Sequence, residues 1–337
     1  MTGDCCFIND HCTFRYRASA LLVQEGRVLL MRSASRGSLN LPGGAVHLDE
    51  AAADAARREL HEETGIETEA ERLLALHECF YDDSTVPNQR VHVVELVFLM
   101  RPSSLLPPLP AGNDVESPCW LPLDALEEER LFPMELCACL KEMPAQVQHW
   151  ITRENTPPPP LLTADCCFTE DACWFRYRAA AIIQEGDQTL LAHYVPGNYD
   201  YAIGGGVHLD ETCMNAVRRE TWEETGIHYE IDHLAVLCES FFDGQDTLQG
   251  KRAHVLEVYF LMKPQGSLAL HPPAGEEACA HFLPVEALPS MTVFPQFLAD
   301  YLKRKPQDTL HIVERENEAP TQEDNTDHTT DKTTDRG

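Results

Sequence analysis

The sequence predicts an α/β protein made of two tandem copies of one domain. Three observations carry this reading. A glycine- and glutamate-rich pattern beginning at Gly44 returns at Gly205, an offset of 161 residues. Flanking segments return with it: Asp4-Cys5-Cys6-Phe7 as Asp165-Cys166-Cys167-Phe168, Phe14-Arg15-Tyr16-Arg17 as Phe175-Arg176-Tyr177-Arg178, and residues 121–126 as 283–288. Each copy also mixes strand-like apolar runs with two helical segments. A chain of 337 residues suits two domains, and copies spanning 1–150 and 165–313 are each long enough to bury a core.

The elements follow in order. Residues 17–31 read as an apolar strand, a polar break at Gln24-Glu25-Gly26 and a second strand, and residues 178–192 repeat this with one extra residue. A glycine loop and a helix come next. Residues 73–81 and 91–100 read as strands, with 234–242 and 253–262 as counterparts, and a terminal helix follows Phe132-Pro133 and Phe294-Pro295. Residues 151–164, with Pro157-Pro158-Pro159-Pro160, read as a stiff extended linker. Residues 314–337 are rich in Thr, Asp, Glu and Asn, too polar to offset chain entropy, and read as a disordered tail.

The helix between Asp49 and Thr64 holds strong helix formers, starts after Asp49 as N-cap and stops at Gly65, a left-handed terminator. On it Glu59, Glu62 and Glu63 stand at i, i+3 and i+4 and share one face. Carboxylates that close repel one another unless a cation lies between them, and an all-oxygen set suits a hard dication. Arg58, four residues before Glu62, can orient that carboxylate. Gly43 and Gly44 let backbone approach a metal or phosphate, while Leu60 and Ile66 face the core. The second copy keeps Gly204, Gly205, Arg219, Glu220, Glu223 and Glu224; Thr221 stands where the first has Leu60, and Ile203 replaces Pro42, which is expected to loosen the loop. A solvated acidic helix face explains neither the glycines and arginine nor their repetition.

The two stretches, Gly44-x5-Glu50-x7-Arg58-Glu59-Leu60-x-Glu62-Glu63-x-Gly65-Ile66 and its counterpart from Gly205, resemble the signature of the Nudix hydrolases. The resemblance implies two α/β/α sandwiches around mixed β-sheets, Mg²⁺ (or Mn²⁺) as cofactor, and pyrophosphohydrolysis of nucleoside diphosphate derivatives. In relatives the base lies on the helix or on a later loop with a Glu before an aromatic residue. The later candidates are Glu116, ahead of Trp120, and Glu277, ahead of Phe282, with Glu59 and Glu220 as rivals. Glu95 and Glu257 interrupt apolar strands, where an unpaired carboxylate is expensive, so each should meet a metal or an arginine. Their strand resembles a His-Glu-Ile strand of one bacterial Nudix subgroup, without the His. Arg17 and Arg178 are candidates for substrate phosphate, Tyr81 and Phe242 for stacking on a base, and His47 and His208 for a capping or solvent role, with substrate contact as the alternative.

Lys and Arg total 26 against 55 Asp and Glu, a net charge of −29, which argues against duplex nucleic acid and anionic membranes as partners and leaves small anionic nucleotides held through metals and local arginines. No stretch is apolar enough to span a bilayer and no signal-peptide core is present, so a cytoplasmic protein with mostly reduced thiols is the expectation. Cys5-Cys6-x5-Cys12 recurs as Cys166-Cys167-x5-Cys173 without an evident fourth ligand, since His11 becomes Ala172; these read as partly buried thiols. The alternative to two working sites is one catalytic copy beside a ligand-sensing or structural one, and the copies are candidates for an intramolecular pseudo-dimer.

Overall fold

The computed structural model describes residues 3–9, 11–33, 37–103, 117–154, 163–266, 270, 280–316 and 321–322. The first copy runs β1 (Cys6–Ile8), β2 (Cys12–Leu21), β3 (Val23–Gln24), β4 (Arg27–Arg32), β5 (Leu39–Asn40), β6 (Gly43–Ala45), α1 (Ala52–Thr64), β7 (Thr68–Asp82), β8 (Arg90–Pro102), β9 (Pro118–Pro122), β10 (Leu131–Phe132), α2 (Glu135–Lys141) and β11 (Gln148–Arg153). The second runs β12 (Cys167–Glu170), β13 (Cys173–Ile182), β14 (Gln184–Glu185), β15 (Gln188–Tyr194), β16 (Tyr199–Ala202), β17 (Gly204–Gly206), α3 (Cys213–Thr225), β18 (Ile231–Asp243), β19 (Arg252–Met262), β20 (Ala280–Pro284), β21 (Val293–Phe294), α4 (Leu298–Arg304), β22 (Leu310–Arg315) and β23 (Thr321–Gln322).

Each copy is a mixed sheet with layers on both faces, as expected. In the first, the large sheet has the order β1-β2-β8-β7-β11, with β6 beside β2; β2 and β8 are parallel, β8 and β7 antiparallel. Strand alternation sends β2 residues Phe14, Tyr16, Ala18 and Ala20 toward the α1 side, where they join Ala52, Ala56 and Leu60. Leu21 goes to the opposite face, with Leu74, Val97, Val28 and Leu30 of β4, and Leu136 and Leu140 of α2. The second copy repeats this order as β12-β13-β19-β18-β22.

Three expectations need correction. The helix starts at Ala52, not beside Asp49: Asp49 has φ 64° and its carboxylate bonds Arg252 Nε of the other copy at 2.9 Å, so tertiary ion pairing removed the cap the local sequence offered. The first copy reaches Arg153, because β11 adds in parallel to β7 across the expected boundary at 150. Glu314 and Arg315 belong to β22 rather than a tail, and β23 pairs with that strand. The proline linker at 157–160 and residues 323–337 lie outside the described residues. Among the described residues no helix is long and apolar enough to cross a membrane.

The copies share one apolar core. Phe14 meets Phe175 at 5.7 Å between ring centroids, and Phe7 meets Phe168 at 5.3 Å. Around these rings the polar contacts come in matched pairs. The Tyr16 hydroxyl donates to Glu239 Oε2 (3.0 Å) and that of Tyr177 to Glu78 Oε1 (3.1 Å). The backbone N–H of Ala52, first residue of α1, donates to Glu239 (2.8 Å), and that of Cys213, first residue of α3, to Glu78 (2.9 Å). Asp49 takes Arg252 and Arg315, whereas Asp210 takes Arg90 and Arg153, both at 3.0 Å. Cys5 and Cys166 lie 3.4 and 3.5 Å from His254 and His92, so part of the repeated cysteine motif serves this interface. The described cysteines are all free thiols.

Two outcomes are expected. Asp210 is almost wholly buried between two arginines and Asp49 is partly exposed. Asp210→Ala should therefore cost roughly 3–5 kcal/mol in urea unfolding and Asp49→Ala about 1 or less; equal losses would contradict the asymmetry. Burial holds His92 down to about 4 and His254 down to about 3, from the ordinary 6.5. As pH falls below 6.5 the unfolded chain takes protons that these rings refuse, so their contribution to stability declines toward pH 4 and below. Imidazole ¹⁵N shifts should show both rings neutral from about pH 8 to about pH 5; a midpoint near the usual value for either would refute this.

Candidate active site

Of the carboxylates predicted on one helix face, Glu59 and Glu63 lie against the glycine loop, and Glu62 stands more exposed beside Arg58. Pairing of β6 with β2 sets Gly43 opposite Ser19, Gly44 opposite Ala18 and Ala45 opposite Arg17. Gly43 has φ 154°, and a side chain there would strike the Ala18 carbonyl. A Cβ on Gly44 would sit 2.3 Å from the Glu59 carboxylate, so only glycine lets that carboxylate lie against the loop. Glu63 accepts a bond from the Gly43 N–H at 3.2 Å. Its titration is pushed up to about 7 by burial and by the neighbouring Glu59 and Glu62 charges, against the opposing Gly43 bond and Arg17.

Arg58 is held more firmly than its spacing to Glu62 implied. Glu50 grips it with two bonds, Nε to Oε1 at 2.8 Å and Nη2 to Oε2 at 2.9 Å, and Nη2 also donates to the Ala45 carbonyl at 2.9 Å. So anchored, Nη1 reaches Glu59 at 2.6 Å, while Glu62 is a longer contact at 3.6 Å. Glu50 belongs to the repeated pattern, yet its role is invisible to helical periodicity because it precedes the helix. The His47 backbone N–H donates to Glu50 at 3.0 Å.

The second copy reproduces this set. Arg219 is gripped by Glu211 at 3.1 and 2.9 Å, bonds the Gly206 carbonyl at 2.9 Å, and reaches Glu220 at 2.6 Å and Glu223 at 3.3 Å. Gly204 N–H bonds Glu224 at 3.1 Å, and Glu224 too is raised to about 7 by burial, with Glu220 adding to the effect. A Cβ on Gly205 would strike Glu220. Neither substitution loosens the frame. Thr221 is fully buried with its hydroxyl on the Arg218 carbonyl (3.1 Å), and Ile203 keeps the loop-to-strand bond, Ala181 N to Ile203 O at 2.8 Å against Ala20 N to Pro42 O at 2.9 Å.

The wall beside the carboxylates differs between copies. Arg17, Glu95 and His77 share one rung of the first sheet. Glu95 accepts from Ser19 Oγ (2.5 Å), lies 3.2 Å from His77 Nδ1 and 3.6 Å from Arg17 Nε, and its carboxyl is held down at about 2, against burial, chiefly by His77 and Arg17. Arg17 also donates to the Gly43 carbonyl at 2.9 Å. These groups, with Tyr81 and Phe132, line a cleft of about 210 Å³. The arginine expected beside Glu95 is thus Arg17, joined by His77 and Ser19. In the second copy Ala180 and Cys238 replace Ser19 and His77, and Arg178 bonds Glu257 at 2.8 Å and the Ala202 and Gly204 carbonyls. Arg178 is also more covered than Arg17, with side-chain exposures of 12% and 31%. Phe242 is partly exposed at the end of β18. Glu116 and Glu277 lie outside the described residues.

Several proteins are similar to this chain. A MutT-like protein of Streptomyces ambofaciens is 35% identical over 86 residues, 26% of this chain and 50% of that protein. The NAD-capped RNA hydrolase NudC of Chromobacterium violaceum is 29% identical over 136 residues, 40% of this chain and 46% of that one. The chain thus spans about half the length of the curated relatives it matches. Among solved structures, an ADP-ribose pyrophosphatase from Streptococcus suis is 25% identical, covering 41% of this chain and 97% of its own, with a TM-score of 0.29. The profile of the NUDIX domain matches twice, over residues 13–136 and 174–304, on either side of the shared core and with one carboxylate helix in each match, and the chain belongs to the NUDIX family.

Proposed function

We propose that the chain is a cytoplasmic pyrophosphohydrolase that cleaves the diphosphate linkage of a nucleoside diphosphate derivative and depends on Mg²⁺. The observation that carries this reading is geometric: in each copy three helix glutamates share one arginine, with Glu59 and Glu63, and Glu220 and Glu224, set against the glycine loop; burial first, and then the neighbouring acids, push Glu63 and Glu224 up to about 7. The donor set fits the cation. All ligating atoms are hard carboxylate oxygens, and the glycine cradle keeps side chains away from them. Glu59, Glu62 and Glu63 would hold it in the first copy, and Glu220, Glu223 and Glu224 in the second, with Glu95 and Glu257 as further oxygen donors on the adjoining wall. When bound, such a cation polarises a phosphoryl oxygen and lowers the pKa of an attacking water.

The chain's own groups do the rest. Arg58, fixed by Glu50 and the Ala45 carbonyl, aims Glu59 at the loop, and the Gly43 N–H fixes Glu63. Arg17, at the junction of loop and cleft, faces a diphosphate with its guanidinium, and Tyr81 supplies an aromatic face for the base. Glu59 and Glu116, with Glu220 and Glu277 in the second copy, are the residues to test as proton acceptors. NAD is itself a diphosphate-linked dinucleotide, so the NAD-capped RNA hydrolase among the relatives supports the substrate class, while a net charge of −29 favours small substrates over an RNA body.

A second reading has a specific observation behind it. The first wall opens on a cleft, whereas Arg178 is more covered and lacks a counterpart of His77, which favours catalysis in the first copy and a supporting or ligand-sensing role for the second.

The test is turnover with Mg²⁺ on ADP-ribose, NADH, dinucleoside polyphosphates, nucleotide sugars and nucleoside triphosphates. Glu62→Gln with Glu63→Gln should lower kcat by roughly 10²–10³-fold, as losing aligned electrostatic stabilisation generally does. The paired change Glu223→Gln with Glu224→Gln separates the readings: a comparable loss means two working sites, and unchanged turnover means one. No turnover on any of these compounds would sink the enzymatic proposal. Glu50→Gln, which touches no substrate but frees Arg58, should cost about 10–100-fold in activity or Mg²⁺ affinity, and wild-type kinetics would show that the grip is dispensable.

A further inference from the structure

A separate cluster of metal-ligating side chains lies at the interface between the copies, formed by Glu78 of β7, His149 of β11 and Cys213, the first residue of α3. The edges of this triangle are short. Glu78 Oε2 is 2.9 Å from His149 Nε2 and 3.3 Å from Cys213 Sγ, and Sγ is 3.8 Å from Nε2. Bonds of about 2.0–2.3 Å from zinc to oxygen, nitrogen and sulfur at tetrahedral angles give edges of about 3.3–3.6 Å, so shifts of a few tenths of an ångström would seat an ion. Glu78 is fully buried, Cys213 is buried, and His149 keeps 12% of its side chain exposed, which leaves a path to solvent on one side.

The chain contains its own control. At the matching place in the other half, Glu239 lies 3.0 Å from His311 and accepts from the Tyr16 hydroxyl and the Ala52 N–H, the same partners that Glu78 has in His149, Tyr177 and the Cys213 N–H. There the helix begins with alanine. The carboxylate is therefore satisfied without a thiol, and Cys213 adds only a third ligand. One thiolate, one carboxylate and one neutral imidazole carry two negative charges, which a borderline-soft dication neutralises where a hard cation would prefer the oxygen-only helices.

We propose that Glu78, His149 and Cys213 form a binding site for one Zn²⁺ per chain, separate from the two helix-glutamate clusters and bridging the two copies. Binding releases the Cys213 thiol proton, places the ring proton of His149 on Nδ1 so that Nε2 is free to ligate, and leaves one position for water. The ion would tie β7 and β11 of the first copy to the start of the second copy's helix.

The experiment is titration of the metal-stripped full-length chain with Co²⁺, without nucleotide. The wild type should take up one equivalent with a sulfur-to-cobalt charge-transfer absorption, which oxygen-only sites cannot produce, and Zn²⁺ should displace it. Cys213→Ala, which restores the residue the other half uses and so should fold, is expected to lose the absorption completely. Ala52→Cys, beside Glu239 and His311, is expected to add a second equivalent. Absence of the absorption in wild type, its persistence in Cys213→Ala, or an unchanged stoichiometry in Ala52→Cys would each overturn the proposal.

Discussion

Two buried glutamates, each placed on the helix start of the opposite copy, are the constraint around which this molecule is organised. Glu78 and Glu239 are fully buried, and a carboxylate in that position is tolerable only when donors surround it. Each finds a tyrosine hydroxyl and the first backbone N–H of the other copy's carboxylate helix, together with a histidine of its own copy. Negative charge at a helix N-terminus is favourable in its own right, since it meets unsatisfied N–H groups and the positive end of the helix dipole. Burial by itself would raise the Glu78 carboxyl; the donors around it, His149 foremost, overcome that and hold it below its usual range.

This arrangement links the interface to the candidate chemistry through one rigid element. The helix that starts on the partner's glutamate carries the arginine and three glutamates of the site about two turns later, and it ends at a left-handed glycine, Gly65 or Gly226. The shared aromatic core holds the two large sheets together, so each helix has its N-terminus set by one copy and its flank by the other. A tandem chain achieves with one polypeptide what a symmetric dimer achieves with two, and it gains freedom to let the halves diverge. That freedom is visible. The carboxylate helices keep the arginine and the three glutamates in register, whereas the walls beside them exchange Ser19 and His77 for Ala180 and Cys238, and the helix starts exchange Ala52 for Cys213.

Much of the site was legible from spacing. The i, i+3, i+4 glutamates, the arginine among them and the glycines before them have meaning within one helical turn and one tight loop, where local geometry decides which groups meet. The Arg58–Glu50 grip was only half legible. Both residues belong to the repeat, yet helical periodicity pairs Arg58 with Glu62, because Glu50 reaches it only after the loop folds back. Asp49 shows the opposite failure: it has the chemistry of a helix cap, but two arginines of the other copy take its carboxylate. Glu78 could have been suspected on the grounds that flagged Glu95, a carboxylate in an apolar strand. Its partners lie 71, 99 and 135 residues away along the chain.

By itself, then, the sequence determined the duplication, the α/β class, the location of the longest strands and of the helices, and the carboxylate helices with their glycine turns. These rest on propensity, periodicity and short-range spacing, which are properties of neighbours along the chain. Tertiary structure alone decided that the copies share a core, which acids face cations and which cap helices, that the first copy's wall opens on a cleft, and that Glu78, His149 and Cys213 meet. Those outcomes depend on desolvation and on contacts between distant segments, and a buried charge takes whatever partner folding brings within reach.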